Sequence, residues 1–469
     1  MSMIEELLRA VGAAHVLTGD DMAAWTRDWT GQAAWRPLAV VRPADTAQVA
    51  RVVTLANAAR TPVVPVSGNT GLAQGTRADG ALMLSLDRMS AVREINVPAR
   101  TAVVEAGAIL SVLHDAAEAE GLIFPLTFGA RGSAMIGGAL ATKAGGSNVL
   151  RYGNARDLCL GIEAVLPTGE VLDLMTALHK DNSGYDLRDL LIGAEGTLGI
   201  ITAAVLKLHP KPRAYATAMV AAPSVDAALG LLNRLQEETG GAVEAFEYMP
   251  GSYIAAHMAH TAGARPPFDE MHDVNVLVEV GALAPRDATP GDDGEVPVVA
   301  HLESVLGALF ERGEVLDAVV ARSEAQRAEM WARREAAAEV TMAGGPAVIH
   351  DIAVPLDRVA TFLSRMRARL PEIDAQADDV TVAHLGDGNL HYSVRPGQAD
   401  PARMAAITEM VEEVVAELGG SFSAEHGIGT LKRKTMARRK NAVALSTMRA
   451  IKRALDPDDI LNPGKLLPD

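Results

Sequence analysis

Histidine, carboxylate and arginine side chains at chemically useful spacings gather in the second half of the sequence. Val380 to Ala383 and Leu390 to Val394 read as strands around Gly386-Asp387-Gly388, which makes His384 and His391 neighbours across the mouth of a hairpin. That is metal-ligand geometry, although a histidine pair at this spacing serves structure as readily as a metal, so a third ligand matters. Ser423-Ala424-Glu425-His426-Gly427 supplies a carboxylate and a further imidazole on a short, glycine-ended segment. Two histidines and one glutamate leave an open position on Zn²⁺ or a similar divalent ion, where substrate can enter. Arg334, in Trp331-Ala332-Arg333-Arg334-Glu335, lies on a predicted helix and could clamp a carboxylate through bidentate bonds. The residue pattern by itself favours a surface arginine.

The first half carries a different chemistry. Between Leu126 and Gly153 the glycines Gly129, Gly132, Gly137, Gly138, Gly145 and Gly146 let backbone N–H groups approach a bulky anionic ligand, a phosphate or a flavin edge. Met135, Ile136, Leu140 and Val149 interleave with them, which favours a packed cradle over a surface loop. Ser67-Gly68-Asn69-Thr70-Gly71 is a second glycine-bearing turn whose free N–H groups could bind a pyrophosphate. Nothing matches G-x-G-x-x-G between strand and helix, nor G-x-x-x-x-G-K-[ST], so dinucleotide-fingerprint and P-loop readings drop out.

These groups need a scaffold, and its elements can be read along the chain. Asp45 with Gln48 resembles a capping box, and Val49, Val52, Val53 and Ala56 follow at helical spacing. Val63, Val64 and Val66 form a short strand that enters the first glycine turn. Val103 to Ala106 is another strand, followed by a helix through Val112, Leu113, Ala116 and Ala117. Ile162 to Leu166 and Val171 to Leu174 make a hairpin about Thr168-Gly169. Pro210 and Pro212 punctuate a boundary, and a second, α+β domain is expected from about Arg213. It contains a helix opened by Ser224, strands near Val243 to Tyr248 and Val274 to Val280, an exposed acidic loop over Pro285 to Pro297, and an amphipathic helix around Ser323 to Val340. The tail from about Leu431 is basic and helical.

With 469 residues the chain is long enough for several domains, and its net charge of -16 argues against nucleic acid as a partner. An acidic substrate therefore requires a local cationic pocket. Met1 to Asp21 lacks the basic-then-apolar pattern of a targeting segment, no apolar run is long enough to span a bilayer, and the single cysteine, Cys159, suits a reducing cytoplasm.

Taken together, the motifs resemble the flavin-dependent D-2-hydroxyacid dehydrogenases of the vanillyl-alcohol oxidase fold, most closely the D-2-hydroxyglutarate branch. The resemblance covers nearly the whole chain. Its first-half motifs are Ser67-Gly68-Asn69-Thr70-Gly71, Gly132-Ser133 with Ile136-Gly137-Gly138, Ala144-Gly145-Gly146 with Arg151-Tyr152-Gly153, Lys180 to Leu187, and Gly193-Ala194-Glu195-Gly196-Thr197-Leu198-Gly199-Ile200-Ile201-Thr202. In the second half it is carried by Ala245-Phe246-Glu247, His384 to His391, Glu425-His426-Gly427 and Asn462-Pro463-Gly464-Lys465.

The resemblance implies an α+β protein with three parts. An FAD-binding domain of vanillyl-alcohol oxidase type, built of two α+β subdomains, would occupy residues 1–212. An α+β substrate domain would occupy residues 213–420, and a C-terminal helical segment, residues 421–469, would return to the flavin. It further implies that FAD is held by Val66, Ser67, Gly68, Asn69, Thr70, Gly71 and Leu72, by Gly132, Ser133, Ile136, Gly137, Thr142, Gly145 and Gly146, and by Glu195, Gly199, Ile201 and Asn462. Glu195, Gly199 and Ile201 would line the adenine side. Asn69 stands in the first turn and Cys159 lies outside the matched contacts, so non-covalent FAD is expected. By the same resemblance His384, His391 and Glu425 bind Zn²⁺ or another divalent metal such as Mn²⁺, and His426 is the catalytic base. Arg334, His384, His391, Ser393 and His426 would contact the substrate, a D-2-hydroxy acid that gives up its C2 hydride to flavin N5.

Departures bear on the substrate. Where hydroxyglutarate dehydrogenases have a threonine, a lysine and an asparagine, this chain has Ala338, Ile349 and Ser393. Arg333, Lys180 or His350 could stand in, or the substrate is smaller or more apolar, such as D-lactate. The overall resemblance favours D-2-hydroxyglutarate, with an electron-transfer flavoprotein or a quinone as acceptor and a homodimer as an open assembly. Competing readings are a D-lactate dehydrogenase, a glycolate oxidase FAD subunit needing partner subunits, a zinc hydrolase, and a flavin-binding module without catalysis.

Overall fold

A computed structural model describes residues 2–469. The chain divides into two compact units, one of Met1–Gly145, Gly153–Pro210 and Glu425–Asp469, the other of Gly146–Tyr152 and Lys211–Ala424.

Besides a two-stranded ribbon of Leu122–Ile123 with His209–Pro210, the first unit holds two larger sheets. In the smaller, Ala39–Val41, Leu82–Ser85 and Val63–Val66 run parallel, and Val16–Leu17 joins the edge antiparallel. The helix Thr46–Ala58 begins where Asp45 accepts a hydrogen bond from Gln48 N–H; Gln48 in turn accepts from Ala44 N–H at 2.8 Å. Val49, Val52, Val53 and Ala56 are wholly buried on its inner face, in the cluster that includes Val63, Leu82 and Leu84. Burial of a valine of this kind stabilises by roughly 1.5–3 kcal/mol. The larger sheet is a five-stranded antiparallel array ordered Val92–Asn96, Thr101–Glu105, Ile200–Lys207, Cys159–Val165, Val171–Leu174. The expected hairpin about Thr168-Gly169 is its edge. After two C-terminal helices, Arg433–Arg439 and Ala442–Leu455, the chain pairs Leu461 with Val63 in a parallel bridge.

The second unit is built on one seven-stranded antiparallel sheet. Its strands are β1 (Ala214–Ala221), β2 (Val243–Pro250), β3 (Val274–Ala282), β4 (Asp317–Val320), β5 (Val348–Ala353), β6 (Asp378–His384) and β7 (Asn389–Arg395), in the spatial order β4-β1-β3-β2-β6-β7-β5. The helices Val225–Thr239, Pro297–Glu311, Val359–Ile373 and Pro401–Glu417 cover one face through the larger core cluster. On the other face Met249, Leu277, Val380 and Val382 pack with Tyr253, Met330 and Val340. Strand alternation therefore divides each strand between a thick apolar layer and a thinner layer that also carries the charged residues.

Three expectations change. The helix expected over Ser323 to Val340 is two: α1 (Glu324–Glu335), capped by Ser323, and α2 (Ala337–Ala343), divided at Ala336. Ala336 to Ala338 carry no side chain that would mark the division in the spacing. Pro285 to Pro297 is not wholly loop, since Pro285–Ala288 is one helical turn and Pro297 starts a long helix. The Leu126 to Gly153 stretch is not one cradle: Gly146–Tyr152 belongs to the second unit, where Arg151 and Tyr152 both donate to the buried Glu244 at 2.7 Å. Among the described residues no helix is long and apolar enough to cross a membrane.

Candidate active site

In the second unit the pleat gathers polar groups on one face. Val382 pairs with His391 and His384 with Asn389, Asp351 pairs with His391 and Ile349 with Ser393, and Glu247 pairs with His384. His384 and His391 are thus diagonal neighbours, with ring centroids 5.2 Å apart and planes at 81°. This is the hairpin juxtaposition that their spacing implies.

Each imidazole also has a buried carboxylate beside it. Glu247, fully buried, accepts from His384 Nδ1–H at 2.8 Å and from Arg334 Nε–H at 2.7 Å. Burial alone would raise its pKa, but the His384 and Arg334 charges outweigh it and hold the carboxyl below its ordinary value. Because the carboxylate can only accept, Nδ1 carries a proton in either charge state of the ring, and the neutral form of His384 keeps on Nε2 the lone pair a metal ion needs. Asp351, also buried, lies 3.9 Å from His391 Nδ1 and accepts from Asn389 Nδ2 at 3.0 Å. In the sequence Glu247 stands out only within the motif Ala245-Phe246-Glu247, with no chemical role attached, and Asp351 does not stand out. Their available signal was a charge embedded in an apolar strand, Val243 to Met249 for one and Val348 to Val354 for the other.

Arg334 is not a surface residue. It is only 8 % exposed, and its Nη2 is buried with no hydrogen-bond partner among the described residues. That nitrogen fits an anionic ligand group. The rest of α1 is pinned by Glu279, which accepts from Arg327 Nε and Nη2 (2.7 and 2.9 Å), Trp331 Nε1 (2.9 Å) and Thr217 Oγ1 (2.7 Å). Arg327, Trp331 and Arg334 lie on one helical stripe, which faces the sheet.

The residues that could replace a distal cation fare differently. Ser393 is buried on the His391 face, and opposite it Ile349 is 51 % exposed. His350 alternates to the other face, its Nδ1 3.3 Å from Tyr392 O, and Arg333 spends Nη2 on Arg265 O. Ala338 and Lys180 are exposed.

In the first unit the glycine motifs converge. Gly68 packs so closely on Ser133 that a Cβ there would overlap the Ser133 carbonyl oxygen, and one on Gly138 would lie 3.3 Å from Ser67 Cβ. Val66 ends its strand, and Asn69 holds the turn at φ +51° with Nδ2 donating to Arg27 O and Oδ1 accepting from Thr76. Thr70, Gly71 and Leu72 complete it, with Leu72 exposed. Gly132 lies just before the helix Ile136–Ala141, inside which Ile136 and Gly137 are buried, and Thr142 caps its end through Gly138 O. Gly199 packs on Leu191 ahead of Ile201 in the central strand. Asn462 Nδ2 donates to Glu195 O (2.7 Å) and Gly75 O (3.1 Å), whereas its buried Oδ1 has no partner among the described residues. A close-packed glycine cradle beside an unsatisfied buried acceptor fits a bound FAD.

Glu425 and His426 follow Ala424, the last residue of the second unit, whose N–H reaches Asp351 O at 3.3 Å. Within the first unit Glu425 lies against Gly145, where an added Cβ would meet its Oε1 at 2.5 Å. Gly146 belongs to the other unit, at φ +131°.

Comparison with known proteins identifies the family. Residues 211–466 match the family of FAD linked oxidases, C-terminal domain, and residues 37–175 match an FAD binding domain. A D-2-hydroxyglutarate dehydrogenase of Xanthomonas citri pv. viticola is 38% identical over 99% of this chain and 96% of its own length. The mitochondrial D-2-hydroxyglutarate dehydrogenase of Bos taurus is 36% identical over 94% of this chain and 79% of its own. Among solved structures, a substrate-bound p-cresol methylhydroxylase superposes with a TM-score of 0.75 at 17% identity, over 100% of this chain and 96% of that one, which shows the shared fold. The chain belongs to the FAD-dependent D-2-hydroxyacid dehydrogenases, oxidoreductases of the vanillyl-alcohol oxidase fold.

Proposed function

We propose that the protein oxidises D-2-hydroxyglutarate to 2-oxoglutarate with non-covalent FAD and a divalent metal ion such as Zn²⁺ or Mn²⁺. The observation that carries this is the buried Arg334 guanidinium, oriented by Glu247 beside His384 with Nη2 left for an anion. In an acidic chain, such a cation favours a substrate with a carboxylate to spare. The two relatives named for D-2-hydroxyglutarate support the same choice.

In this proposal the turn at residues 66–72, the segment 132–146, Glu195, Gly199, Ile201 and Asn462 hold FAD. His384, His391 and Glu425 hold the ion. Bound there, FAD supplies the acceptor for the C2 hydride, and the ion supplies the Lewis acid that lowers the pKa of the 2-hydroxyl. Arg334 fixes a substrate carboxylate, Ser393 lies beside the metal histidines, and His426 takes the hydroxyl proton as C2 becomes a carbonyl carbon. The electrons leave to an electron-transfer flavoprotein or a quinone, and the lone buried thiol suits a reducing cytoplasm.

A specific observation favours a second reading. Exposed Ile349 opposite Ser393 offers an apolar contact where a second cation would help a distal carboxylate, which suits D-lactate or a similarly small acid. Anaerobic mixing with a panel of D- and L-2-hydroxy acids tests both. Bleaching of the flavin by D-2-hydroxyglutarate supports the proposal, bleaching by D-lactate alone selects the second reading, and no bleaching by any D-acid sinks both.

A further inference from the structure

Glu195 stands in an unusual backbone setting. It adopts φ +52° between Gly193 at +86° and Gly196 at +70°. Its N–H donates to Ala141 O at 2.8 Å, and its carbonyl accepts from Asn462 Nδ2 at 2.7 Å, so its main chain is fixed from both sides. The carboxylate, almost wholly buried, does not end in solvent or in an open cleft. Oε1 accepts from Ile428 N–H at 2.7 Å and Oε2 from Gly429 N–H at 2.8 Å. The next amides, of Thr430 and Leu431, turn to Ala73 O. Positive φ at Gly427 (+74°) and Gly429 (+51°) turns these N–H groups inward into a concave anion site, and the protein's own Glu195 fills it. A Cβ on Gly427 would come within 2.8 Å of Oε1, so the fit is tight.

This contact begins two residues after His426, in a segment whose glycines would otherwise leave it pliant. We infer that Glu195 is a positioning residue: its carboxylate holds the segment 427–429 and thereby fixes the backbone from which His426 reaches the substrate hydroxyl. The inference rests on the reading of His426 as the base. It gives the Glu195 side chain work other than lining the adenine.

Glu195→Gln is the test, because the amide keeps the size but presents a donor to one of two backbone donors. The variant should keep its flavin absorbance, because the substitution alters only the side chain and leaves the Glu195 main chain, held by Ala141 O and Asn462 Nδ2, on the FAD side as it is. Its anaerobic flavin reduction by D-2-hydroxyglutarate should slow by about 100-fold with little change in KM, the scale expected when a reacting group is displaced by about 1 Å. Hydrogen–deuterium exchange in the peptide spanning 425–431 should rise. If Glu195→Gln does not fold, Gly427→Ala disturbs the same contact from the other side and should give the same three results. Wild-type reduction rate with wild-type exchange overturns the inference, and so does a loss of activity that tracks loss of FAD. His426→Ala, measured in parallel, tests the base separately. If it reduces flavin at the wild-type rate, the base reading fails and the catalytic half of the inference fails with it, while the exchange result still decides whether Glu195 holds the segment.

Discussion

His384 donates its Nδ1–H to the fully buried carboxylate of Glu247 over 2.8 Å. The other oxygen of that carboxylate takes Arg334 Nε–H. One glutamate on β2 therefore orients both a proposed metal ligand on β6 and a proposed substrate clamp on α1. Its cost of burial is offset by two charge-assisted bonds. Removing the negative charge should disturb both partners together, which a glutamate serving only the fold would not do selectively.

Glu247→Gln should accordingly weaken metal binding by about 10–100-fold, the usual effect of losing a carboxylate behind a ligating histidine. Equilibrium dialysis against Zn²⁺ or Mn²⁺, read by elemental analysis on protein with full flavin content, measures this directly. KM for D-2-hydroxyglutarate should rise in the same variant. Unchanged metal affinity would mean that His384 needs no help from Glu247 to bind an ion.

How much of this could be read from the sequence depends on how local the cause is. The His384 and His391 pairing was readable because the turn and both strands lie within one short stretch, and the pleat fixes which side chains share a face. The helix after Asp45 was equally local. Glu247 pairs with His384 across 137 residues of chain, and no periodicity reports a strand partner that distant. Arg334 looked like a surface residue because a buried face of Arg327, Trp331 and Arg334 is polar by composition. Only the acids on β2 and β3 make that face an interior one. His350 could be considered as a replacement cation until the alternation of β5 placed it on the face opposite Asp351.

Arg334→Lys keeps a positive charge but loses the planar fork that bonds Glu247 through Nε and leaves Nη2 for the proposed substrate carboxylate. KM for D-2-hydroxyglutarate should rise by about 10–100-fold, equivalent to roughly 1.5–3 kcal/mol for a hydrogen bond to a charged group. Steady-state kinetics on the metal-replete protein checks it. An unchanged KM would place the carboxylate clamp elsewhere.

Chelation separates the proposed metal from the flavin. Treatment with a strong chelator should abolish reduction by substrate and leave the visible flavin spectrum intact, because His384, His391 and Glu425, proposed to hold the ion, are not among the residues proposed to hold FAD. Restoration should follow Zn²⁺, Mn²⁺ or Co²⁺. Indifference to chelator would remove the metal from the proposal.

Lys465 gives the C-terminal motif a pH signature. The amine is nearly buried and donates to Pro463 O at 3.2 Å. Burial pulls its pKa down from 10.5 to about 8, against the opposing pull of Asp79. Below about pH 8 both the folded and the unfolded chain carry the charge, and the folded one bears the full penalty of burying it. Between about pH 8 and 10.5 the folded chain is neutral while the unfolded chain still binds the proton, so stability from this residue rises with pH. Lys465→Met should therefore raise Tm most below that window, and the gain should shrink as pH climbs through it. Thermal unfolding of both proteins across the window decides the matter. A Tm difference that grows with pH would have the wrong sign and would show that the amine is stabilised, not penalised, where it lies.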